Sequence, residues 1–518
     1  MDYSTPNEPQ ITPTAKPVQE LFNIISCPLD QRLYSASPVV KSVARSLCDE
    51  IDSLGSGKQR MRTKPYNDLR RFLVCLLVNF FDTWVIYPAC HIAVPLGKED
   101  YKESEFAYVA VRDGMKGIEA LGYVSRTAHY WDPIKQKGLV TRFKATDKLA
   151  ALFATWDLSV VQFNPRSPLV EIRPKGKARR WAARRKEHLP TCLPWPSADR
   201  GTRAKMIRNL LVINKALQEQ FQALALPDSE LRTALGRNKR PVNLRRQALH
   251  RVFLDDPRHG GRFVGPYWQS IKRELRQHIR MAAPGQGPQE TVELDFDSLH
   301  PAMLYATRKF PVNGDLYAIY GDSHKSTVTR PAVKKLMLTM INADSDRDAK
   351  NSFKEEVNTE IYPNWLKETW GQGEAESFPF DDIDKKLAEM YPGCPSLDTL
   401  VKDIKKHHYR IAEYFCSGAG RWLMFEDSQI SEMVMLSMYR EHGIVPLPNH
   451  DSYIVPKQYE TALNNTMERM FAARFAGVTP SITPKSCSEK PHRVNESDLY
   501  FKLLHQWQQT NKQVDLAA

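Results

Sequence analysis

Long apolar runs are missing from this chain. The apolar stretch 72–81 stops at Asp82 and is too short to cross a bilayer. The amino terminus is polar and proline-rich, without the charged-then-apolar pattern of a secretory signal. A cytoplasmic protein with no membrane partner is therefore expected. Cysteine is also scarce: eight residues, Cys27, Cys48, Cys75, Cys90, Cys192, Cys394, Cys416 and Cys487, form no CxxC pair and have no histidine at zinc-ligand spacing. That excludes a zinc-ribbon or disulfide framework and leaves reduced thiols. No internal repeat or low-complexity tract is present, which removes solenoid and fibrous classes.

Acids are outnumbered, 60 against 73 Lys and Arg, for a formal net charge of +13. Clustered cations gain free energy by displacing counterions from phosphates, so a polyanion, nucleic acid first, is the expected partner. A merely soluble basic surface gives the same composition, and motifs must decide. At 518 residues, 42% hydrophobic and 10% aromatic, the chain is globular and long enough for two to four domains.

Residues 1–60 mix Pro, Ser and charge without periodicity and read as a partly ordered lead-in. Over 61–160 the pattern predicts an apolar helix (69–85), a second helix on which Val111, Met115, Ile118 and Leu121 share a face, and a hairpin of strands 123–127 and 139–143. Helices followed by a basic hairpin resemble a winged helix, in which Arg126, Lys135, Lys137, Arg142 and Lys144 would meet phosphates. Basic hairpins are as often simply solvated. Residues 161–255 read as a basic helical, thumb-like connector. Its stretch RPKGKARRWAARRK places Arg179, Arg180, Arg184 and Arg185 around Trp181, a pattern that fits either a nucleic-acid clamp or a solvated linker. A helix over 202–225 follows.

Residues 256–518 carry the chemistry. TVELDFDSLHPAMLYA begins as a strand and turns helical, which puts Asp295 at a strand end; IVPLPNHDSYIVP puts Asp451 at the turn of a hairpin. Each aspartate alone fits a cap or a turn equally well. Together they suit phosphoryl transfer, in which two carboxylates hold two Mg2+ ions, with Mn2+ as a substitute, about 3.5–4 Å apart. Between them, Arg330 and Lys334 lie four residues apart on one face of a helix starting near Pro331. Such a face can grip a triphosphate, and Lys334 can protonate departing pyrophosphate; an ordinary solvated stripe has the same spacing. The acids over 343–400, including Asp344, Asp346 and Asp348, read as solvated helical surface.

These pieces, in this order, resemble the palm and fingers of family A DNA polymerases and their relatives, the single-subunit phage-type RNA polymerases. Asp295-Phe296-Asp297-Ser298-Leu299 resembles the first palm motif, Arg330-x3-Lys334 the fingers motif and His450-Asp451-Ser452 the last palm motif, in the form usual for the RNA polymerases. Gly261-Arg262-Phe263 with Gln269-Ser270-Ile271, and Arg421 with Gln429, resemble shorter segments in which the family contacts primer and template, and Asp315-Leu316-Tyr317 resembles the short motif after the first palm helix. The resemblance covers about residues 258–490. It implies an α+β right-hand fold with an antiparallel palm sheet, helical fingers over about 320–420 and a mostly helical amino-terminal half containing the winged module. It also implies a DNA primer-template and nucleoside triphosphates as partners, with Asp295 and Asp451 as metal ligands.

The chain departs from the family at three positions. The acid expected five residues after the first aspartate is His300, and the aromatic residues expected four and eight after the fingers lysine are Leu338 and Asn342. Sugar choice and nucleotide stacking are therefore left open. Residues 1–250 show no acid set resembling a proofreading exonuclease. The favoured expectation is a DNA-directed DNA polymerase without proofreading, working with replication proteins of a plasmid, phage or integrated element. An RNA polymerase or primase and a non-catalytic replication initiator are the alternatives.

Overall fold

The structure is a computed structural model that describes residues 26–54, 62–101, 104–127, 130–132, 137–163, 168–174, 192–227, 229–231, 242–312, 314–321, 323–370, 382–475, 480–485 and 497–515. It divides into two compact units. The first comprises Met1–Ser167, Leu226–Asn243 and Glu496–Lys502; the second comprises Pro168–Ala225, Leu244–Asn495 and Leu503–Ala518. Among the described residues, no helix is long and apolar enough to cross a membrane.

The first unit packs the helices Pro38–Leu54, Thr63–Ile86 and Tyr108–Ala120 together beside a four-stranded sheet. The strand order is Ser26–Pro28, His91–Ala93, Arg142–Ala145, Val124–Thr127, parallel at the first pair and antiparallel at the others. The hairpin strands thus pair as 124–127 with 142–145, a little later on the second side than the sequence pattern suggested. Two glycines set the helix spacing: a Cβ at Gly117 would sit 2.5 Å from Ile51, and one at Gly114 would sit 2.9 Å from Phe72. Order begins well before residue 60. Val40, Ala44, Leu47, Cys48 and Ile51 are buried along one face of Pro38–Leu54, a helical periodicity that the neighbouring Ser and charged residues disguised. Cys27 and Cys90, far apart in sequence, have their sulfurs 3.9 Å apart.

The second unit is built on an antiparallel sheet in the order Phe221–Leu224, Ile279–Ala282, Gln289–Phe296, Ser452–Pro456, Leu447–Asn449, with Ile482–Pro484 also paired to Gln289–Phe296. The helix expected over 202–225 stops at Glu219, and the apolar run Phe221–Leu224 becomes a fully buried strand. Among the described residues four strands lie within the connector expected to be helical, Gln162–Phe163, Val170–Arg173, Phe221–Leu224 and His250–Leu254, and the second and last of these join Asp256–Val264 in a second sheet. Short buried runs do not separate strand from helix by periodicity alone.

The α-helices among the described residues of 324–442 are His324–Asn342, Asp346–Glu356, Tyr362–Trp370, Ile383–Met390, Leu397–His407 and Gly420–His442. The first begins seven residues before Pro331, at a Ser323 cap whose hydroxyl accepts from the Ser326 N–H. Pro331 lies inside it, lacking only the N–H that would bond one turn back. Gly443, at φ 69°, ends the last helix in the left-handed region.

Gly420–His442 packs against Asp256–Val264, and a buried charge ties them together. Fully buried Arg251 donates to Gly261 O (2.8 Å), Ser428 Oγ (2.7 Å) and the Glu432 carboxylate. Replacing Arg251 by Met strands Glu432 away from water without its cation. The expected cost is about 3–5 kcal/mol in urea unfolding, largely recovered in Arg251→Met with Glu432→Leu. Equal stability of the single and double variants would show that the pair is not coupled.

Candidate active site

Glu293 and Asp295 alternate on one face of the strand Gln289–Phe296. Asp295 pairs with Ser452 across the ladder, and the Phe296 N–H reaches Asp451 O at 3.4 Å. The hairpin turn His450-Asp451 follows directly, with His450 left-handed at φ 60°, a region histidine enters more readily than most residues. Register therefore brings together two acids 156 residues apart in the chain.

Asp295 is only one-fifth exposed, and its carboxyl is pushed up to about 6. Desolvation is the main cause, the Asp451 charge the second, and Lys485 opposes both from 3.1 Å. Asp295 Oδ1 is buried and has no hydrogen-bond partner among the described residues. A buried acceptor beside a second carboxylate is a site that a divalent cation fits, since Mg2+ is commonly bound by one or two carboxylates together with substrate phosphates. Among the described residues no group of three or more His, Cys, Asp or Glu offers an all-protein metal cage.

Behind Asp295, Glu293 is fixed by a two-pronged Arg276 pair (2.9 and 3.0 Å), by the Ser452 hydroxyl donating at 2.6 Å and by Lys485 at 3.5 Å. These cations and donors hold the Glu293 carboxyl below its ordinary value despite burial. Asp297, at the strand end, accepts from Ser481 Oγ (2.8 Å) and Thr483 Oγ1 (2.9 Å), which clamps the Ile482–Pro484 strand alongside. Ser298 then turns left-handed, at φ 52°, into the helix Leu299–Thr307.

A cleft of about 650 Å³ opens over the acids. It gathers nine of the residues expected at the site: Asp295, Asp451, Arg330, Lys334, His300, Leu338, Asn342, Arg262 and His450. Arg330 and Lys334 do share a helix face, and both lie over the Tyr317 ring, 5.4 and 5.6 Å from its centroid. Arg330 is paired with Asp315; Lys334 makes no ion pair with a described residue. Arg262 donates to buried Asp427 at 3.1 Å and lies 3.4 Å from His300 Nε2.

Three expected residues do not line the cleft. Gln269 donates to Phe263 O (3.0 Å) and Pro448 O (2.9 Å), bracing the hairpin instead of facing the cleft. Arg421 is paired with Asp344 at 2.7 Å, and Gln429 lies on Gly420–His442 with its side-chain nitrogen buried and unpartnered among the described residues. Arg179, Arg180, Arg184 and Arg185 lie outside the described residues.

Sequence reasoning missed Lys485, Arg276, Glu293 and Asp427. Glu293 had a legible signal, two residues before Asp295 on the same strand face. His408 was missed as well. Burial holds its imidazole at about 4, so it is neutral at pH 7: Nε2–H donates to Leu316 O (2.9 Å), and Nδ1 faces the Tyr305 hydroxyl at 2.8 Å. It thus fixes the Asp315-Leu316-Tyr317 segment that underlies the two cations.

No protein-family model matches this sequence, and no curated protein matches it. Among solved structures, the POL domain of Pol1 from M. smegmatis in complex with DNA primer-template and dNTP aligns over 85% of this chain and 65% of that one, at 10% identity and a TM-score of 0.24. Similarity that distant carries no assignment, and the geometry above has to stand alone.

The raised Asp295 carboxyl makes stability depend on pH. An acid whose folded value exceeds its unfolded one stabilises the fold fully below the unfolded value, 3.8, and loses that contribution as pH rises through about 6. Asp295→Asn is therefore expected to raise unfolding free energy on the order of 2 kcal/mol at pH 7 without metal, with the gain shrinking toward pH 4. Denaturation at pH 4, 5.5 and 7 reads this; a pH-independent difference would contradict the assigned burial.

Proposed function

We propose that this chain is a template-directed nucleotidyltransferase, a DNA-directed DNA polymerase without proofreading. The observation that carries this reading is the single cleft in which paired Asp295 and Asp451 meet Arg330 and Lys334. Mg2+ held by the two aspartates would activate a primer 3′ hydroxyl and neutralise charge on the pyrophosphate oxygens.

The chain's own residues divide the remaining work. Arg330 and Lys334 grip the triphosphate, and Lys334, which has no acidic partner among the described residues, donates the proton that leaves with pyrophosphate. Arg330 must exchange Asp315 for phosphate oxygens, a swap of one charge-assisted pair for another of the same kind. Arg262 and His300, held by Asp427, line the cleft and are assigned to the primer end and the sugar. His450 is assigned to template-primer contact, and Leu338 and Asn342 bound the nucleotide on the helix side. Arg421 and Gln429 lie on the adjoining helix, where a bound template would displace Asp344 from Arg421.

A ribonucleotide-using enzyme of the same superfamily is the second reading, favoured by Ser452, whose hydroxyl is spent on Glu293, and by the imidazole at 300 in place of an acid. A non-catalytic initiator leaves the acid pair without a purpose.

Primer extension with Mg2+ on DNA and RNA templates, using each nucleotide set, tests all three. Asp295→Ala and Asp451→Ala should each abolish incorporation, and Lys334→Ala should slow it about 100-fold, the usual size of a lost proton donor. Ribose preference would select the second reading. Extension by Asp295→Ala at the parental rate would remove the enzyme reading.

A further inference from the structure

The first unit contains a second cavity, of about 590 Å³, that shares no residue with the cleft above. Lys41 and Arg45 reach it from the helix Pro38–Leu54, one turn apart, and Arg70 and Arg71 from Thr63–Ile86. Its floor is apolar, with Leu33 and Phe106 buried there and Tyr34 half-exposed at the side.

Arg262, Arg330 and Arg421 in the second unit each have a carboxylate, whereas Lys41, Arg45, Arg70 and Arg71 make no ion pair with any described residue. Glu105 is the one acid among the lining residues. Four cations around one concavity repel one another, and an anion entering it removes that repulsion while releasing the anion's own counterions. An ordinary solvated helix face spreads like charges outward; here two helices converge them on a hollow with an aromatic and aliphatic floor.

We infer that this cavity is a nucleotide-phosphate site in which Lys41, Arg45, Arg70 and Arg71 hold phosphate oxygens and the Tyr34 and Phe106 side packs against a base. A simple inorganic anion would use the cations and leave the apolar floor wet, whereas a nucleotide brings phosphate oxygens and a flat ring together. The volume suits a nucleotide-sized group. A nucleotide of a bound strand and a free nucleotide present the same chemistry, and the experiment separates them.

Anisotropy of a labelled single-stranded oligodeoxynucleotide, measured on the full chain in chelator across a salt series, reads the site without catalysis. Lys41→Ala with Arg45→Ala, and Arg70→Ala with Arg71→Ala, should each weaken binding about tenfold or more. Each pair should also flatten the slope of log affinity against log salt by about 1.4, from roughly 0.7 per lost phosphate contact. Arg70→Lys with Arg71→Lys, which keeps the charge, should restore the slope, and unchanged melting of the exposed Lys41 and Arg45 pair guards against unfolding. Equilibrium dialysis with a deoxynucleoside triphosphate is the second arm: a loss there with oligonucleotide binding intact assigns a free nucleotide. Wild-type affinity and slope for both probes in both folded alanine pairs would overturn the site. Both assays hold no metal and read binding alone, so failure of the catalytic reading leaves this result standing.

Discussion

Holding two carboxylates close together on a partly desolvated sheet is the constraint around which the second unit is organised. Like charges at short range in a medium poorer than water repel strongly, and burial raises the cost of ionising Asp295. The chain answers with cations placed behind the pair instead of between its members. Arg276 neutralises Glu293, and Lys485 bridges Glu293 and Asp295, leaving Asp295 Oδ1 buried without a hydrogen-bond partner among the described residues. The sheet supplies rigidity, because one strand carries Glu293 and Asp295 while its neighbours carry Ser452 and, one residue beyond Pro484, Lys485.

The cationic side of the cleft follows the opposite logic. Arg330 and Lys334 sit over the Tyr317 ring, whose face tolerates positive charge without neutralising it. Tyr317 in turn is positioned by a segment that buried, neutral His408 grips through Leu316 O. Arg330 keeps one acidic partner, Asp315, and Lys334 keeps none among the described residues. The cleft thus has acids backed by cations on the sheet and cations backed by an aromatic ring on the helix, an arrangement that leaves both sets available to a ligand carrying phosphates and metal together.

Buried polar contacts also fix the relation of elements that carry no chemistry. Trp268 Nε1 and Gln269 Nε2 both donate to Pro448 O, and Pro448, lacking an N–H, sits on the outer strand, where no ladder bond is lost. Arg251 joins the second sheet to Gly420–His442, which carries Asp427, the acid that orients Arg262. Arg262, on the second sheet, is thus held at the cleft by Asp427 on one helix, next to His300 on another.

The sequence alone determined whatever depends on near neighbours. Period-two alternation placed Asp295 on a strand, the His450-Asp451 dipeptide between two apolar runs marked a turn, and a four-residue spacing put Arg330 and Lys334 on one helix face. Composition carried the basic character. Where local pattern was diluted, as in Pro38–Leu54 and Phe221–Leu224, elements were missed or misread, since a short buried run satisfies helix and strand alike. Only tertiary structure decided that Lys485 and Arg276 would stand behind the acids, that Asp427 would face Arg262, and that Gln269 would serve a hairpin carbonyl instead of a ligand. Those partners lie 17 or more residues apart in the chain, and strand register and helix packing select them through geometry that no local periodicity encodes.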